Sequence, residues 1–276
     1  MTAKAGLRTG YLLFAALGAF AQQAPFTPAP RVLQIYREQV LLGREGDYLR
    51  IETEAVAMES RLHFQHSYLT LQGVNRSGEV WYVNGYDTYA QIDQIGQDVA
   101  ANRELTTALQ QVAVEKADLV LDPHTVFGRF RGDLSYGRGL SGPRTRYFVV
   151  SVVSVRPGHG QDYAELRKII RSAHERANSG EIHSVYQVES GMPDGTFLVF
   201  TPAATLEEGG ASRQFDQSLD NALDAASRTR LRELSEAAIL QSETNILSVN
   251  ATISLPAKEW VDADPELWKP AAAKPE

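Results

Sequence analysis

One pattern is written twice in this sequence, and that limits what the chain can fold into. Tyr147 to Asn178, YFVVSVVSVRPGHGQDYAELRKIIRSAHERAN, reads as an apolar β-rich run, a Pro-Gly turn and an amphipathic helix. Val32 to Leu62, VLQIYREQVLLGREGDYLRIETEAVAMESRL, follows the same order, and Asp47-Tyr48 can be laid on Asp162-Tyr163. Apolar residues recur three and four apart in both helical stretches. They are Tyr48, Ile51, Ala55, Met58 and Leu62 in the first, and Tyr163, Leu166, Ile169, Ile170 and Ala173 in the second. That spacing gives each helix one buried face. Asp47 stands where an N-cap is expected, since its carboxylate can accept the free amides of a first turn.

The rest of the chain extends the repeat. In the first half a hairpin is expected from His66–Gly73 and Glu79–Gly85 across Val74-Asn75-Arg76-Ser77-Gly78. A helical region over Asp87–Val114 follows, with a break near Ala101-Asn102, and then a strand over Thr125–Tyr136. In the second half the strand is Arg146–Val155 and the helix Asp162–Ala177. A hairpin of His183–Glu189 and Thr196–Thr201 comes next, then helices over Gln214–Ser227 and Thr229–Gln241 and a strand over Asn245–Leu255. Tyr48 and Tyr163 stand 115 positions apart and His66 and His183 117, the slips falling at turns, where insertions are tolerated.

Each unit therefore reads β-α-β-β-α-β, the ferredoxin-like order. Such a unit carries helices on one sheet face and leaves the other bare, and a large bare apolar face is an association site. The expected fold class is α+β, with two tandem ferredoxin-like units packed sheet to sheet as an intramolecular α/β barrel. The expected boundaries are a first unit over 32–136, a linker over 137–145, a second unit over 146–255 and a tail over 256–276.

At this point the chain resembles a known group. VSVRPGHGQDYAELRKII, Val153 to Ile170, is similar to the strand–Pro-Gly turn–helix opening of the dimeric α/β-barrel superfamily, which includes the antibiotic-biosynthesis-monooxygenase and NIPSNAP-like groups. The resemblance spans about four-fifths of the chain beyond its N-terminal segment, as a pattern rather than a motif. It implies the barrel, here made within one chain. Haem-degrading members of that superfamily use an Asn, Trp and His set, and no motif-level match to it occurs here. Trp81 lies on a strand, but its neighbours do not reproduce the pattern.

Composition narrows the setting. Lys4 and Arg8, an apolar run from Tyr11 to Phe20 and the small-x-small Ala19-Phe20-Ala21 read as an export signal cleaved after Ala21. Gln22 to Arg31 is a Pro-rich lead-in, and the chain is expected in a periplasm or outside the cell. There is no cysteine, which removes disulfides, thiolate metal sites and thiol nucleophiles together. The formal charge is −7, and an acidic surface repels phosphate backbones, so nucleic acid is not an expected partner. No stretch after the signal is long and apolar enough to span a bilayer.

Motifs for chemistry are sparse. Gly158-His159-Gly160 is an incomplete dinucleotide loop in the wrong β-α-β-β context, and Walker A and the GxSxG elbow are absent. No cofactor is therefore assigned. Glu59, His63 and His66 have the spacing E-x3-H-x2-H, but His66 falls beyond the helix, HExxH is missing, and no metal is assigned. His174 is placed at a solvent-facing or edge position. Ser67, Leu69 and Leu71, the more apolar face of the hairpin, are turned toward the helices, which sends His66 and Tyr68 between the sheets. Alignment adds His183, Val185 and Gln187.

The candidate ligand-binding residues are thus Tyr36, His66, Tyr68, His183 and Gln187, around a small apolar or aromatic molecule held between the two sheets. Two other readings stand beside this one. The same cavity could host a cofactor-independent monooxygenase or isomerase-like reaction with a histidine as proton acceptor. Or the interface is packed solid, and the protein is a structural or interaction module.

Overall fold

Four edge strands settle the architecture, because each would otherwise present unpaired backbone groups. The computed structural model describes residues 26–141, 144–211 and 221–269. Residues 1–25 and 270–276 lie outside it, so the export signal and the end of the tail are not described, nor are parts of the expected linker and of the helix over Gln214–Ser227.

The first half comprises β1 (Val32–Val40), α1 (Glu45–Arg61), β2 (Tyr68–Gly73), β3 (Glu79–Tyr86), α2 (Tyr89–Ala101), α3 (Arg103–Lys116) and β4 (Val120–Phe130). The second comprises β5 (Tyr147–Val155), α4 (Gly160–Ala177), β6 (Ser184–Ser190), β7 (Thr196–Ala203), α5 (Leu206–Ala211), α6 (Ala225–Ala238) and β8 (Ile239–Val249). A short 3-10 turn at Ala251–Ile253, α7 (Lys258–Ala263) and α8 (Pro265–Trp268) follow. Among the described residues no helix is long and apolar enough to cross a membrane.

The strands form one closed antiparallel barrel in the order β1-β3-β2-β8-β5-β7-β6-β4. β4 and β6 join edge to edge, with Phe130 opposite Tyr186, and β2 joins β8, with Leu71 opposite Val249. Closure gives every strand a neighbour on both sides over at least part of its length. The interior is one core drawn from both halves: Leu33, Ile35, Leu69, Leu71, Trp81 and Val83 meet Phe148, Val150, Tyr186, Leu198, Phe200 and Leu247. Trp81, Tyr186 and Phe200 are fully buried there.

Matching contacts recur in the two halves. The Val40 amide donates to the Gly78 carbonyl at 2.7 Å, and the Val155 amide to the Gly195 carbonyl at 3.0 Å. Both glycines have φ of +78°, and a Cβ on them would lie 2.3 Å from the Val40 oxygen and 2.9 Å from the Val155 oxygen. Only glycine fits such a turn.

Several sequence expectations are corrected. α1 begins at Glu45, ahead of Asp47, which instead accepts a 3.0 Å hydrogen bond from Arg44. β4 starts at Val120 rather than Thr125, because Asp122-Pro123 lies where β1 skips a residue between Arg37 and Gln39. At such an irregularity a proline needs no amide to give. β8 starts at Ile239, not Asn245: its first half extends beyond β2 and pairs with β5 alone, so the run Leu240 to Glu243 stays exposed and lacks the alternation of a half-buried strand.

The facing of β2 is the reverse of the expectation. Leu69 and Leu71 point into the barrel, and Tyr68 points to the helices. The closed interior is the drier of the two faces, so the purely apolar set goes there and the phenol goes where a carboxylate can accept its proton. Leu69→Ala is accordingly expected to lower the unfolding free energy by about 2–5 kcal/mol, read from urea melts.

A candidate ligand cavity between the first sheet and its helices

Because Tyr68 faces outward, so do its neighbours on the same sheet face. Tyr36 and Tyr82 stand opposite one another on β1 and β3, and on β2 Thr70 lies opposite Tyr82 and Tyr68 opposite Asn84. α1 lies across this face with Tyr48, Ile51, Glu52, Ala55 and Glu59 buried. These positions fall three and four apart, so two carboxylates share the stripe that is otherwise the helix's packing surface. α3 closes the side and brings Lys116.

Between these elements lies a cavity of about 420 Å³. Its walls carry Tyr36, Tyr68, Tyr82 and Tyr86, the polar groups of Glu52, Glu59, His66 and Lys116, and apolar side chains that include Phe64 and Val112. A pocket of this size and mixed lining suits one small organic molecule.

Its floor is a buried charge network. Lys116 pairs with Glu38 and Glu52, each at 2.8 Å. Its ammonium also lies 5.6 Å from the Tyr36 ring and 5.5 Å from the Tyr82 ring. Burial acts to lower the Lys116 pKa, but Glu52 and Glu38 more than offset it, and the net shift is upward. The Tyr48 hydroxyl donates to Glu38 at 2.5 Å and meets the Tyr82 hydroxyl at 2.6 Å. Burial, with the neighbouring carboxylates, holds both phenols far above their ordinary pKa. These groups stay neutral donors at any physiological pH.

Two wall groups differ from that floor. Glu59 accepts from the Tyr68 hydroxyl at 2.7 Å, and burial pushes its pKa up to about 7; the Tyr68 bond pulls it back and Glu52 adds to the rise. A carboxyl poised there can give or take a proton at neutral pH. His66 stacks flat on Tyr86, with ring centroids 4.6 Å apart. Its Nε2 is buried without a hydrogen-bond partner among the described residues, and burial lowers its pKa to about 4. The ring is therefore a neutral imidazole with an unused nitrogen.

Of the five residues expected from sequence, Tyr36, His66 and Tyr68 come together here. They do so between sheet and helices, not between the sheets, where the shared core fills the barrel. His183 and Gln187 do not line the cavity. Gln187 accepts from Arg131 at 2.8 Å, and His183 hydrogen-bonds Glu181 at 2.7 Å on the other half of the molecule. His66 lies in the layer between the first half's strands and α1, and His183 beside Glu181 and the end of α4, so the two histidines belong to different layers. His174, expected at a solvent-facing or edge position, is buried, its ring stacked on Tyr136.

Glu38, Glu52, Lys116, Tyr82 and Tyr86 are not singled out by the sequence, and Glu59 enters there only through its spacing to His63 and His66. The carboxylates could have been found: Glu52 and Glu59 sit at helical spacing among Tyr48 and Ala55. Lys116 could not, since nothing local ties α3 to α1.

No family model matches the sequence, and neither does any curated protein. Among solved structures the chain is similar to a candidate monooxygenase from Fusobacterium nucleatum, at 12% identity and a TM-score of 0.50, covering 79% of this chain and 91% of that one. It is also similar to an anthrone oxidase-like protein, at 13% identity and a TM-score of 0.50, covering 82% and 94%. A mutant chlorite dismutase from Candidatus Nitrospira defluvii aligns over 85% of this chain and 95% of that one, at 11% identity and a TM-score of 0.47. At these identities the first two likenesses show the barrel fold and nothing further.

The raised Glu59 pKa fixes the sign of a pH effect. The folded protein holds this proton more tightly than the unfolded chain, so Glu59 costs stability as pH rises from 4.5 to about 7. Glu59→Gln should gain on the parent protein across that window, by on the order of 3 kcal/mol. His66, lowered from 6.5 to about 4, works the other way and costs stability as pH falls through that range. His66→Asn should gain on the parent as the pH drops. Denaturant melts of each variant against the parent, from pH 4 to 8, separate the two.

Proposed function

We propose that this chain is an exported small-molecule-binding protein, built as two fused ferredoxin-like units, whose ligand occupies the cavity between the first sheet and α1 and α3. The ligand is small, flat and largely apolar or aromatic, with at least one hydrogen-bonding group. The observation that carries this reading is the cavity wall itself: four tyrosine rings, an unpartnered buried imidazole nitrogen on His66, and Glu59 with a pKa near neutrality. Buried polar groups cost free energy when left without a partner, and a ligand donor facing His66 removes that cost.

A second reading follows from Glu59. A carboxyl that ionises near pH 7 beside an aromatic-lined cavity can abstract a proton from a phenolic or enolisable substrate. That step opens isomerisation, or reaction of the resulting electron-rich anion with oxygen without a cofactor. The oxidase and monooxygenase names of the two fold neighbours fit this chemistry and do not select it.

A panel of phenols, quinones and aromatic acids, screened by thermal shift, is expected to return ligands that stabilise the parent protein. His66→Ala and Tyr68→Phe should weaken their binding, while His183→Ala should leave it unchanged. A panel without hits, or hits indifferent to both cavity variants, would sink the assignment. If turnover is found, Glu59→Gln should abolish it and keep binding. Export is tested by the intact mass of the protein from its own host, expected to begin after Ala21.

A further inference from the structure

The histidine of the second half that does not join the cavity has partners of its own. α4 ends at Ala177, Asn178 adopts a left-handed conformation and Gly180 follows with φ of +70°. This tight reversal carries the chain from the last turn of α4, which holds His174, back to Glu181 and His183 at the entrance of β6. His183 is fixed to the Tyr136 backbone by hydrogen bonds of 2.8 and 3.0 Å in both directions. One donor atom from each of His174, Glu181 and His183 falls within 4.8 Å of the others.

The geometry points to a divalent transition-metal site formed by His174, Glu181 and His183. Two imidazoles and one carboxylate suit zinc or ferrous iron, and three protein ligands leave a position for water. Each ring is already oriented: His174 Nδ1 lies 3.1 Å from the Ser179 hydroxyl and His183 Nδ1 lies 3.0 Å from the Thr201 hydroxyl. Such second contacts commonly set the tautomer and aim of a metal-bound imidazole. They leave Nε2 of His183 toward Glu181, at 2.7 Å. In a tetrahedral zinc shell, donor atoms stand about 3.3 Å apart. Binding therefore replaces the shared proton of that pair by the ion, and draws the three donors in by a modest movement.

The electrostatics are mixed, and the balance has a cause. His174 is buried, and the buried Arg167 guanidinium bears on its ring. The same field from Arg167 opposes a cation, and the Glu181 carboxylate offsets it. Glu181 keeps 25% of its side-chain surface and His183 12%, so an ion can enter from that side although His174 is buried. This site is separate from the first-half cavity, and either can exist without the other.

The test uses the full-length protein, treated with EDTA and then titrated with Co²⁺ while visible absorbance is recorded. The expected result is one Co²⁺ per chain, with the d–d bands of a low-coordinate complex and displacement by Zn²⁺. Glu181→Gln and His183→Asn should each weaken binding by roughly tenfold or more. His174 is buried and its removal could unfold the protein. Glu181→Gln, on a partly exposed side chain, therefore decides the matter, with circular dichroism to show that the fold is kept. His159→Ala, at the exposed His159–Asp162 pair, should change nothing. The proposal is overturned if no such bands appear, if Glu181→Gln and His183→Asn bind as the parent does, or if His159→Ala abolishes binding.

Discussion

The hydrogen bonds that join β4 to β6 and β2 to β8 are the constraint on which the rest of this molecule depends. They turn two four-stranded sheets into a ring, and they force the inward faces of both halves into one volume. Leu33, Ile35 and Trp81 from one half are then within reach of Phe148, Tyr186 and Phe200 from the other. Neither half has another way to keep that face from water. Helices are thereby left to cover only the outside, and any polar chemistry must be placed there or at the barrel ends.

The outside is where the two halves part company. On the strands, Ile35 opposite Val83 corresponds to Val150 opposite Phe200, so equivalent positions can be named. Tyr36, Glu38, Thr70 and Tyr82 of the first half correspond to Ser151, Val153, Val185 and Val199 of the second. On the helices, Glu52 and Glu59 correspond to Arg167 and His174. The first layer is consequently a network of tyrosines and carboxylates around Lys116, with an open cavity. The second is packed by Val185, Phe197, Val199 and Leu234 against Tyr163 and Leu166. One scaffold thus holds two different interiors, and substitution on the outward face is what distinguishes them.

Glu59 and His66 show how burial, more than pairing, sets the chemistry of the first layer. Their pKa values move in opposite directions for one reason: each neutral form is the one that a poorly hydrated wall tolerates. Lys116 is the exception, because two carboxylates at 2.8 Å outweigh its loss of water. A carboxyl that titrates near neutrality and a neutral imidazole thus face one aromatic cavity.

Much of this was legible in the sequence. The duplicated strand–turn–helix, the hairpins and the break at Asn102 follow from local periodicity and turn chemistry, which the chain carries residue by residue. So does the need for one bare sheet face to find another. Tyr36, His66 and Tyr68 could be grouped because Tyr36 on β1 and Tyr68 on β2, with His66 two residues ahead of it, share the parity of one sheet face. What sequence could not decide is which parity faces inward. Leu69 and Tyr68 are both plausible core residues, and the choice depends on a closed barrel being drier than a helix-covered sheet. Nor could it show that His66 and His183 look away from one another, or that Lys116 reaches Glu38 across 78 positions of chain. Those facts are set by long-range packing, which no local pattern encodes.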